Sequence, residues 1–239
     1  PETANVKTWI VAMNLRSFGP GWVHSPLESA LMKSNVMLAP RPPLINRFLV
    51  SLHAYDNRTA EERRQRKKLQ WDQDSLPYAP PQHTVSSWCA VKKWPGDQPR
   101  RGLADHFIKN FGWVLRDSNP RVADFDAIAA AAREQQVQLI FHILPENLAL
   151  ADSLVGPDLT NLIKQNRDFL TARYRDQAIV VDNLDLVPDE EFTDRDFPTE
   201  HYTQQGRKRV AVSLAVALEA FYPRALAPDS LRKYAQYDD

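Results

Sequence analysis

The sequence is poor in the residues that identify several common classes of protein. Its 239 residues include one cysteine, Cys89, so no disulfide can form within the chain, and cysteine content leaves the cellular compartment open. Only seven glycines are present. The segment Gly19-Pro20-Gly21 lacks the donor-rich turn of a phosphate-binding loop, which disfavours nucleotide-dependent enzymes.

Long apolar segments and an excess of charge of one sign are also missing. No stretch reaches the roughly 18 apolar residues of a membrane span, and no leader of charged, apolar and small residues is present. Thirty basic and thirty acidic side chains balance each other, so no overall field would attract nucleic acid or an anionic membrane. The basic run 63–68 follows two glutamates and is interpreted as a solvated helix face. A small neutral substrate or a polymer fits this balance.

Short apolar segments alternate with amphipathic ones in the most regular part of the chain, and this alternation predicts the fold. The predicted buried strands are residues 6–13 (VKTWIVAM), 137–144 (VQLIFHIL) and 178–181 (AIVV). The predicted helices that follow them are residues 122–136, 158–175 and 203–222. The order predicts an α/β fold, a three-layer doubly wound parallel sheet with helices on both faces.

The middle of the chain is less regular. We expect one domain over residues 1–239, with residues 35–120 forming a loop-rich, partly helical insertion within it. A charged helix is predicted to open with the capping pattern of residues 59–62. Tryptophans and prolines are frequent from residue 70 to residue 113. These tryptophans are interpreted as a small core of the insertion, with stacking on sugar rings as the alternative.

The segment 194–202 carries the strongest chemical signal. It directly precedes the last predicted helix and contains Asp194, Asp196, Glu200 and His201. A carboxylate that binds an imidazole fixes its tautomer and stabilises the imidazolium, so an acid/histidine pair is a suitable general base for a serine hydroxyl. In the alternative interpretation, His201 is a turn residue and the carboxylates are charges at a helix N-terminus.

Polar residues follow the predicted strands, where ligands bind in parallel sheets. Asn14 and Arg16 follow the first strand, and Glu146 and Asn147 follow the second. Arg16 is the basic residue best placed to meet an anionic substrate group. No metal or cofactor is expected, because the closest pair of soft ligands, His83 and Cys89, has no second pair at the spacing of a zinc site. A metal-dependent hydrolase built on the acids of 194–202 lacks a second ligand cluster for the same reason.

A strand ending in Val181-Asp182, an acidic loop, an acid/histidine/aromatic segment and a last amphipathic helix together resemble the final block of SGNH hydrolases. Within that superfamily the chain is more similar to the DltD-like branch. This similarity rests on the aromatic-bearing loop 12–22 and on Ile143-Leu144-Pro145-Glu146-Asn147, which resembles the branch's Ile-Pro-Pro-x-Asn. The resemblance covers residues 6–22 and 122–222 and is poor between them.

The resemblance implies an SGNH/flavodoxin-like sheet and a set of site residues. His201 would be the general base, Asp196 its orienting acid and Asn14 an oxyanion donor, with Arg16 and Asn147 as further substrate-binding candidates. The family's acid lies three residues before the histidine, where this chain has proline. The neighbouring carboxylates Asp194 and Glu200 therefore stay open as alternatives to Asp196.

The Gly-Asp-Ser block that carries the nucleophile in this superfamily does not precede the first predicted strand. Ser17 is the serine nearest that strand's end and is interpreted as a loop hydrogen-bonder. Two hypotheses follow. In the first, the protein is an O-acyl esterase or acyltransferase with a Ser-His-Asp mechanism whose serine lies outside this chain. In the second, it is a non-catalytic binding or scaffolding module that docks on an acyltransferase partner or a polymer.

The resemblance also implies a setting. Its members act outside the cytoplasm, in the periplasm or at the cell surface, and are commonly membrane-anchored. They modify a saccharide or cell-envelope polymer beside a membrane-bound O-acyltransferase, and no nucleic-acid partner is expected. The sequence begins at Pro1, which is interpreted as the start of a processed or excised piece. Without the family's first strand, the sheet is expected to expose an edge or groove that another segment or chain fills.

Overall fold

The computed structural model describes residues 6–25, 59–73, 98–195 and 197–222. Within these ranges the chain is a mixed α/β protein with a three-stranded parallel sheet. The strands are β1 (Thr8–Met13), β2 (Gln138–Ile143) and β3 (Ile179–Asp182). The helices are α1 (Pro20–Val23), α2 (Ala60–Gln73), α3 (Gln98–Phe111), α4 (Pro120–Glu134), α5 (Leu148–Val155), α6 (Pro157–Tyr174) and α7 (Gln204–Glu219). Short 3₁₀ turns cover Leu15–Phe18 and Asp189–Glu191. No helix in these ranges is long and apolar enough to cross a membrane.

The sheet follows the predicted alternation of strands and helices. Its spatial order is β1-β2-β3, and both pairs of neighbours are parallel. Met13 is paired with Ile143, and Ile143 with Asp182, so all three strands end together at one edge. The parallel pairing of the strands therefore places the residues that follow them close together, as expected of a parallel sheet.

One face of the sheet is packed against α4 and α6. Successive strand residues point to opposite faces, and Leu139, Phe141 and Ile143 point to this one, where each is buried. The Phe141 ring makes edge contacts with Tyr174 on α6 and Phe125 on α4, with ring centroids 4.9 and 5.5 Å apart. These aromatic contacts fix both helices on the sheet.

Helix α7 packs against the opposite face of the sheet, near β3. His142 of β2 points to this face, and its Nε2 lies 2.9 Å from Asn183 Nδ2. The Asn183 Oδ1 accepts a hydrogen bond of 2.6 Å from the Ser213 hydroxyl of α7. Burial lowers the pKa of His142, so its Nε2 is available as an acceptor. His142 is thus a hydrogen-bonded core residue, in agreement with its position inside an apolar strand.

The structure places part of the predicted insertion in the main core. Residues 98–111 form α3, and buried side chains of this region, including Phe107, Phe111 and Trp113, pack in the same cluster as the sheet. Trp113 is fully buried and its Nε1 donates to the Asn110 carbonyl over 2.6 Å. Asn166 on α6 binds the backbone next to Trp113. Its Oδ1 accepts from the Leu115 N–H and its Nδ2 donates to the Trp113 carbonyl, each over 2.8 Å. Trp113 therefore belongs to the main core and not to a separate small core. Trp88 and Trp94 lie outside the described residues.

Candidate functional site

The residues 198–203 form a short extended segment across the carboxyl edge of the sheet. Phe192 and Tyr202 form an antiparallel bridge, and the Thr193 N–H donates to the His201 carbonyl over 2.9 Å. The side chains of Glu200 and Tyr202 point inward to the ends of β1 and β2, whereas that of His201 points to solvent and is 68% exposed. This alternation is what an extended backbone produces. His201 is therefore presented to solvent by two inward anchors.

His201 is paired with a carboxylate. Its Nδ1 is hydrogen-bonded to Asp194 Oδ2, and the Thr199 hydroxyl donates to the same oxygen over 3.3 Å. Its Nε2 makes no hydrogen bond with a described residue. A carboxylate on Nδ1 holds the proton there and leaves Nε2 as the acceptor, which is the tautomer of a general base. Asp196, the acid expected in this position, lies outside the described residues.

Arg16 is the anchor for Glu200. The Arg16 guanidinium binds the carboxylate through two nitrogens, with Nε 2.6 Å from Oε1, and a third nitrogen donates to the Pro198 carbonyl. The two side chains are only 10% and 13% exposed. Bidentate arginine–carboxylate pairs fix geometry as well as charge. Arg16 therefore positions the His201 segment, and its contact with a substrate anion stays a prediction.

Glu146 is a second carboxyl group beside this ion pair. Its residue is 2% exposed, and its Oε1 has no hydrogen-bond partner among the described residues. Burial and the negative charge of Glu200 raise the pKa of Glu146 well above its ordinary value, and Arg16 only partly opposes them. Of the two neighbouring carboxyl groups, Arg16 is hydrogen-bonded to Glu200 only, so Glu146 is the one whose surroundings favour the protonated form.

Tyr202 is the second inward anchor. Its hydroxyl donates a hydrogen bond of 2.9 Å to the Pro145 carbonyl, directly after β2, and its ring makes an edge contact with Phe192, with centroids 5.3 Å apart. Burial raises the pKa of Tyr202, and so do the negative charges that Glu146 and Glu200 carry at the high pH at which a tyrosine titrates. The hydroxyl therefore stays protonated and keeps its role as a donor.

The two asparagines expected at the site differ in what they can offer. Asn14 Oδ1 accepts from the Arg16 N–H over 2.9 Å, while its Nδ2 donates to no described residue. Asn147 is occupied at both ends, since its Oδ1 caps α5 at Leu150 (3.0 Å) and its Nδ2 donates to Asp189 (2.7 Å). Asn14 Nδ2 can thus act as a donor to a ligand. The hydrogen bonds of Asn147 hold the start of α5 and Asp189, and its contact with a substrate stays a prediction. Ser17 donates to the Asn14 carbonyl over 2.7 Å, as expected for a loop serine.

Gly206 lies under the His201 segment and gives a test of its packing. A Cβ at this position would be 2.9 Å from Tyr202 Cβ and 3.2 Å from Val187 Cγ1. Gly206→Ala should lower the free energy of unfolding by about 1–3 kcal/mol because overpacking outweighs helix propensity. Gly102→Ala is the control, since a Cβ on α3 meets nothing within 4 Å, and it should stabilise by about 0.5–1 kcal/mol. Urea unfolding of both variants measures this, and equal stabilisation would contradict the packing described.

Sequence reasoning found the polar residues that follow the strands but not the way they are connected. His201, Asn14 and Arg16 all lie at the predicted edge, and Arg16 is joined to the segment of His201 by the Glu200 ion pair. The contribution of Glu146 was missed, although an acid after a buried apolar strand was visible in the sequence. In the part of the chain that the structure describes, no group of His, Cys, Asp and Glu could hold a metal ion.

Comparisons with known proteins do not show a family for this chain. No protein-family model, curated protein or solved structure matches the chain. Fold and site are therefore interpreted from the residues themselves.

Proposed function

We propose that this protein is an SGNH/DltD-like O-acyl esterase or acyltransferase that acts on a cell-envelope saccharide or polymer. The observation that carries the proposal is the Asp194–His201 pair at the carboxyl edge of a parallel sheet, with the imidazole Nε2 turned to solvent. Asn14 lies two residues before Arg16, and His201 one residue after Glu200, so the Arg16–Glu200 ion pair joins the two segments that carry these candidates. A base and an oxyanion donor are the two groups that serine-dependent acyl transfer needs besides its nucleophile.

The proposed reaction uses His201 twice. A serine supplied from outside this chain attacks the ester carbonyl while its hydroxyl proton passes to His201 Nε2, and Asn14 Nδ2 donates to the oxygen that becomes negative. The C–O bond to the alcohol then breaks, and this alcohol takes the proton from Nε2. In the second half, water or an acceptor hydroxyl gives its proton to Nε2 as it attacks the acyl-serine, the bond between the acyl carbon and the serine oxygen breaks, and the serine oxygen takes that proton back from Nε2. Asp194 keeps the ring oriented in both halves.

The form of the sheet supports this proposal. Beyond β1, no described strand pairs with its other side. In the flavodoxin-like order 2-1-3-4-5, the strands equivalent to β1, β2 and β3 would be the last three, and a preceding strand would lie along this edge. We propose that the complete sheet is doubly wound and that such a strand brings the serine beside Asn14. The extracytoplasmic setting and the acyltransferase partner belong to the same proposal.

A non-catalytic binding or scaffolding module is the second candidate. The hydrogen bonds of the serines favour this candidate. No described serine is hydrogen-bonded to His201, and the Ser17 hydroxyl donates to the Asn14 carbonyl. In this case the exposed His201 edge would contact a polymer or an acyltransferase without chemistry.

Labelling with a fluorophosphonate distinguishes the two candidates, because this reagent modifies a serine activated by a base. The complete protein is treated with the probe, and the modified peptide is identified by mass spectrometry. We expect one modified serine, with labelling strongly reduced in His201→Gln and Asp194→Asn. His24→Gln is the matched control, because His24 ends α1 and lies outside the segment 194–203, and it should label as the unaltered protein does.

Each result decides between the candidates. A labelled serine that does not depend on His201 would exclude His201 as the base. A protein that takes no label but retains binding of an O-acylated polysaccharide would establish the module. Loss of labelling in His24→Gln as well would show that the variants lose their fold, and circular dichroism of each variant identifies that case.

A further inference from the structure

A surface cavity of about 320 Å³ lies between α1, α2 and the start of α4, apart from the His201 segment. This volume falls at the lower end of the about 300–1,000 Å³ that small-molecule sites occupy. Its lining residues are Val23, His24, Arg66, Leu69, Val114, Arg116, Ser118, Asn119 and Pro120. The proposed acyl-transfer chemistry does not use them.

The cavity lies at the carboxyl edge of the sheet, where open α/β sheets bind ligands. Helix α4 runs into β2 through residues 135–137, so its first turn is at the opposite edge from the start of β2. Asn119, which caps α4, donates its Nδ2 to the Phe18 carbonyl over 2.8 Å, directly after β1. The cavity is therefore built where β1 leads into α1.

The charge of the cavity has one sign. It is lined by two guanidinium groups, those of Arg66 and Arg116, and by no aspartate or glutamate. The positive end of α4 adds to this field, because the first turn of that helix has no acid. The first N–H groups of α4 are already used, with Arg121 N bound to Asn119 Oδ1 over 2.9 Å. Binding of an anion would therefore depend on the arginine side chains.

Arg66 differs from other arginines of the described ranges. A carboxylate is bound by each of five other arginines, namely Arg16, Arg167, Arg173, Arg195 and Arg209. Arg66 forms no ion pair with a described residue, and its neighbour Arg64 takes Glu61 on the same helix. A guanidinium that lines a cavity without a carboxylate partner can accept one from a ligand.

The rest of the lining is apolar. Val23, Val114 and Pro120 contribute hydrocarbon surface, and Leu69 is 57% exposed at the cavity. A free inorganic anion would leave this surface in contact with water, whereas an anion that carries a short hydrocarbon group would cover it.

We infer that this cavity is a binding site for a small amphiphilic anion, a phosphate or carboxylate group joined to an apolar chain. The two arginines bind the anionic group in a charge-assisted, two-pronged contact, and Leu69 with its apolar neighbours covers the chain. Binding here does not require catalysis by His201, so the inference stands or falls independently of the proposed function.

Calorimetric titration of the full chain tests the inference with four probes. Hexyl phosphate and hexanoate carry both parts of the ligand, inorganic phosphate carries the charge alone, and hexanol the chain alone. We expect the amphiphilic anions to bind at least about tenfold more tightly than either partial probe, since each part contributes separately to affinity. Whichever of hexyl phosphate and hexanoate binds more tightly identifies the anionic group.

Variants connect binding to the cavity. Arg66→Gln combined with Arg116→Gln should weaken hexyl phosphate binding by about tenfold or more, while Arg64→Gln on the same helix should leave it unchanged. Leu69→Asn should weaken hexyl phosphate but not inorganic phosphate. All of these substitutions are at exposed positions, and thermal melts establish that the variants stay folded. Equal affinity of the double variant and the unaltered protein, equal binding of hexanol, or no binding of either amphiphilic anion would overturn the inference.

Discussion

Replacement of Arg16 by methionine should destabilise the protein by about 3–5 kcal/mol, because it leaves the buried carboxylate of Glu200 without a counter-charge. The guanidinium is bound in two places, to that carboxylate and to the Pro198 carbonyl, and both partners lose their donor together. The effect should be seen as a shift of the urea midpoint at neutral pH. In the proposed enzyme, the same variant should also lower serine labelling, since the segment that presents His201 loses an anchor.

Two further variants separate the buried charge from the lost contacts. Removing both charges, in Arg16→Met with Glu200→Gln, should recover part of the stability, because no unpaired ion remains. The exposed pair on α2 provides the comparison, with side chains 76% and 57% exposed in Arg64 and Glu61. Arg64→Met should change stability by less than about 1 kcal/mol. If the double substitution is as unstable as Arg16→Met alone, the unpaired charge is not the cause.

The strands and helices of the second half of the chain could be predicted because their signals are local. Residues 137–144 (VQLIFHIL) are mostly apolar and include valine, isoleucine and phenylalanine, and β2 occupies Gln138–Ile143. The acid, histidine and aromatic residues before α7 were also visible as one short segment. In both cases the residues that determine the structure are neighbours in the sequence, so periodicity is sufficient.

The contacts that organise the site could not be predicted in the same way. The Arg16–Glu200 hydrogen bond joins residues 184 positions apart, and the Tyr202–Pro145 bond spans 57. A single sequence does not indicate which distant residues form such pairs. The sequence could therefore not indicate that Arg16 binds Glu200 within the fold.

Helix α3 was missed for a different physical reason. Its first half is polar, with proline and glycine among residues 98–102, and such residues predict a loop. The apolar residues Phe107 and Phe111 are buried in the main core, so tertiary packing outweighs the weak local preference. The tryptophan that follows belongs to this core for the same reason.

The stability of the protein should fall as pH rises because of Glu146. Its pKa is raised in the folded state well above the ordinary value of 4.5, so the folded protein holds a proton that the unfolded chain releases. The stabilising proton is fully present below the unfolded pKa, and its contribution is lost as pH rises from there toward the folded pKa. Proton linkage limits the slope to about 1.4 kcal/mol per pH unit for one group.

Glu146→Gln isolates this contribution, since an amide of the same shape does not ionise. We expect the difference in unfolding free energy between Glu146→Gln and the unaltered protein to move in favour of the variant as pH rises from 4.5 to 8, by more than about 1 kcal/mol in total. Urea unfolding at each pH measures the difference, and Glu134→Gln at an exposed position of α4 supplies the baseline. The slope is the decisive quantity, because any fixed cost of the new amide shifts all pH values equally. A difference that does not change with pH would mean that the folded protein does not hold a proton on Glu146, and that Glu146 and Glu200 are both ionised near Arg16.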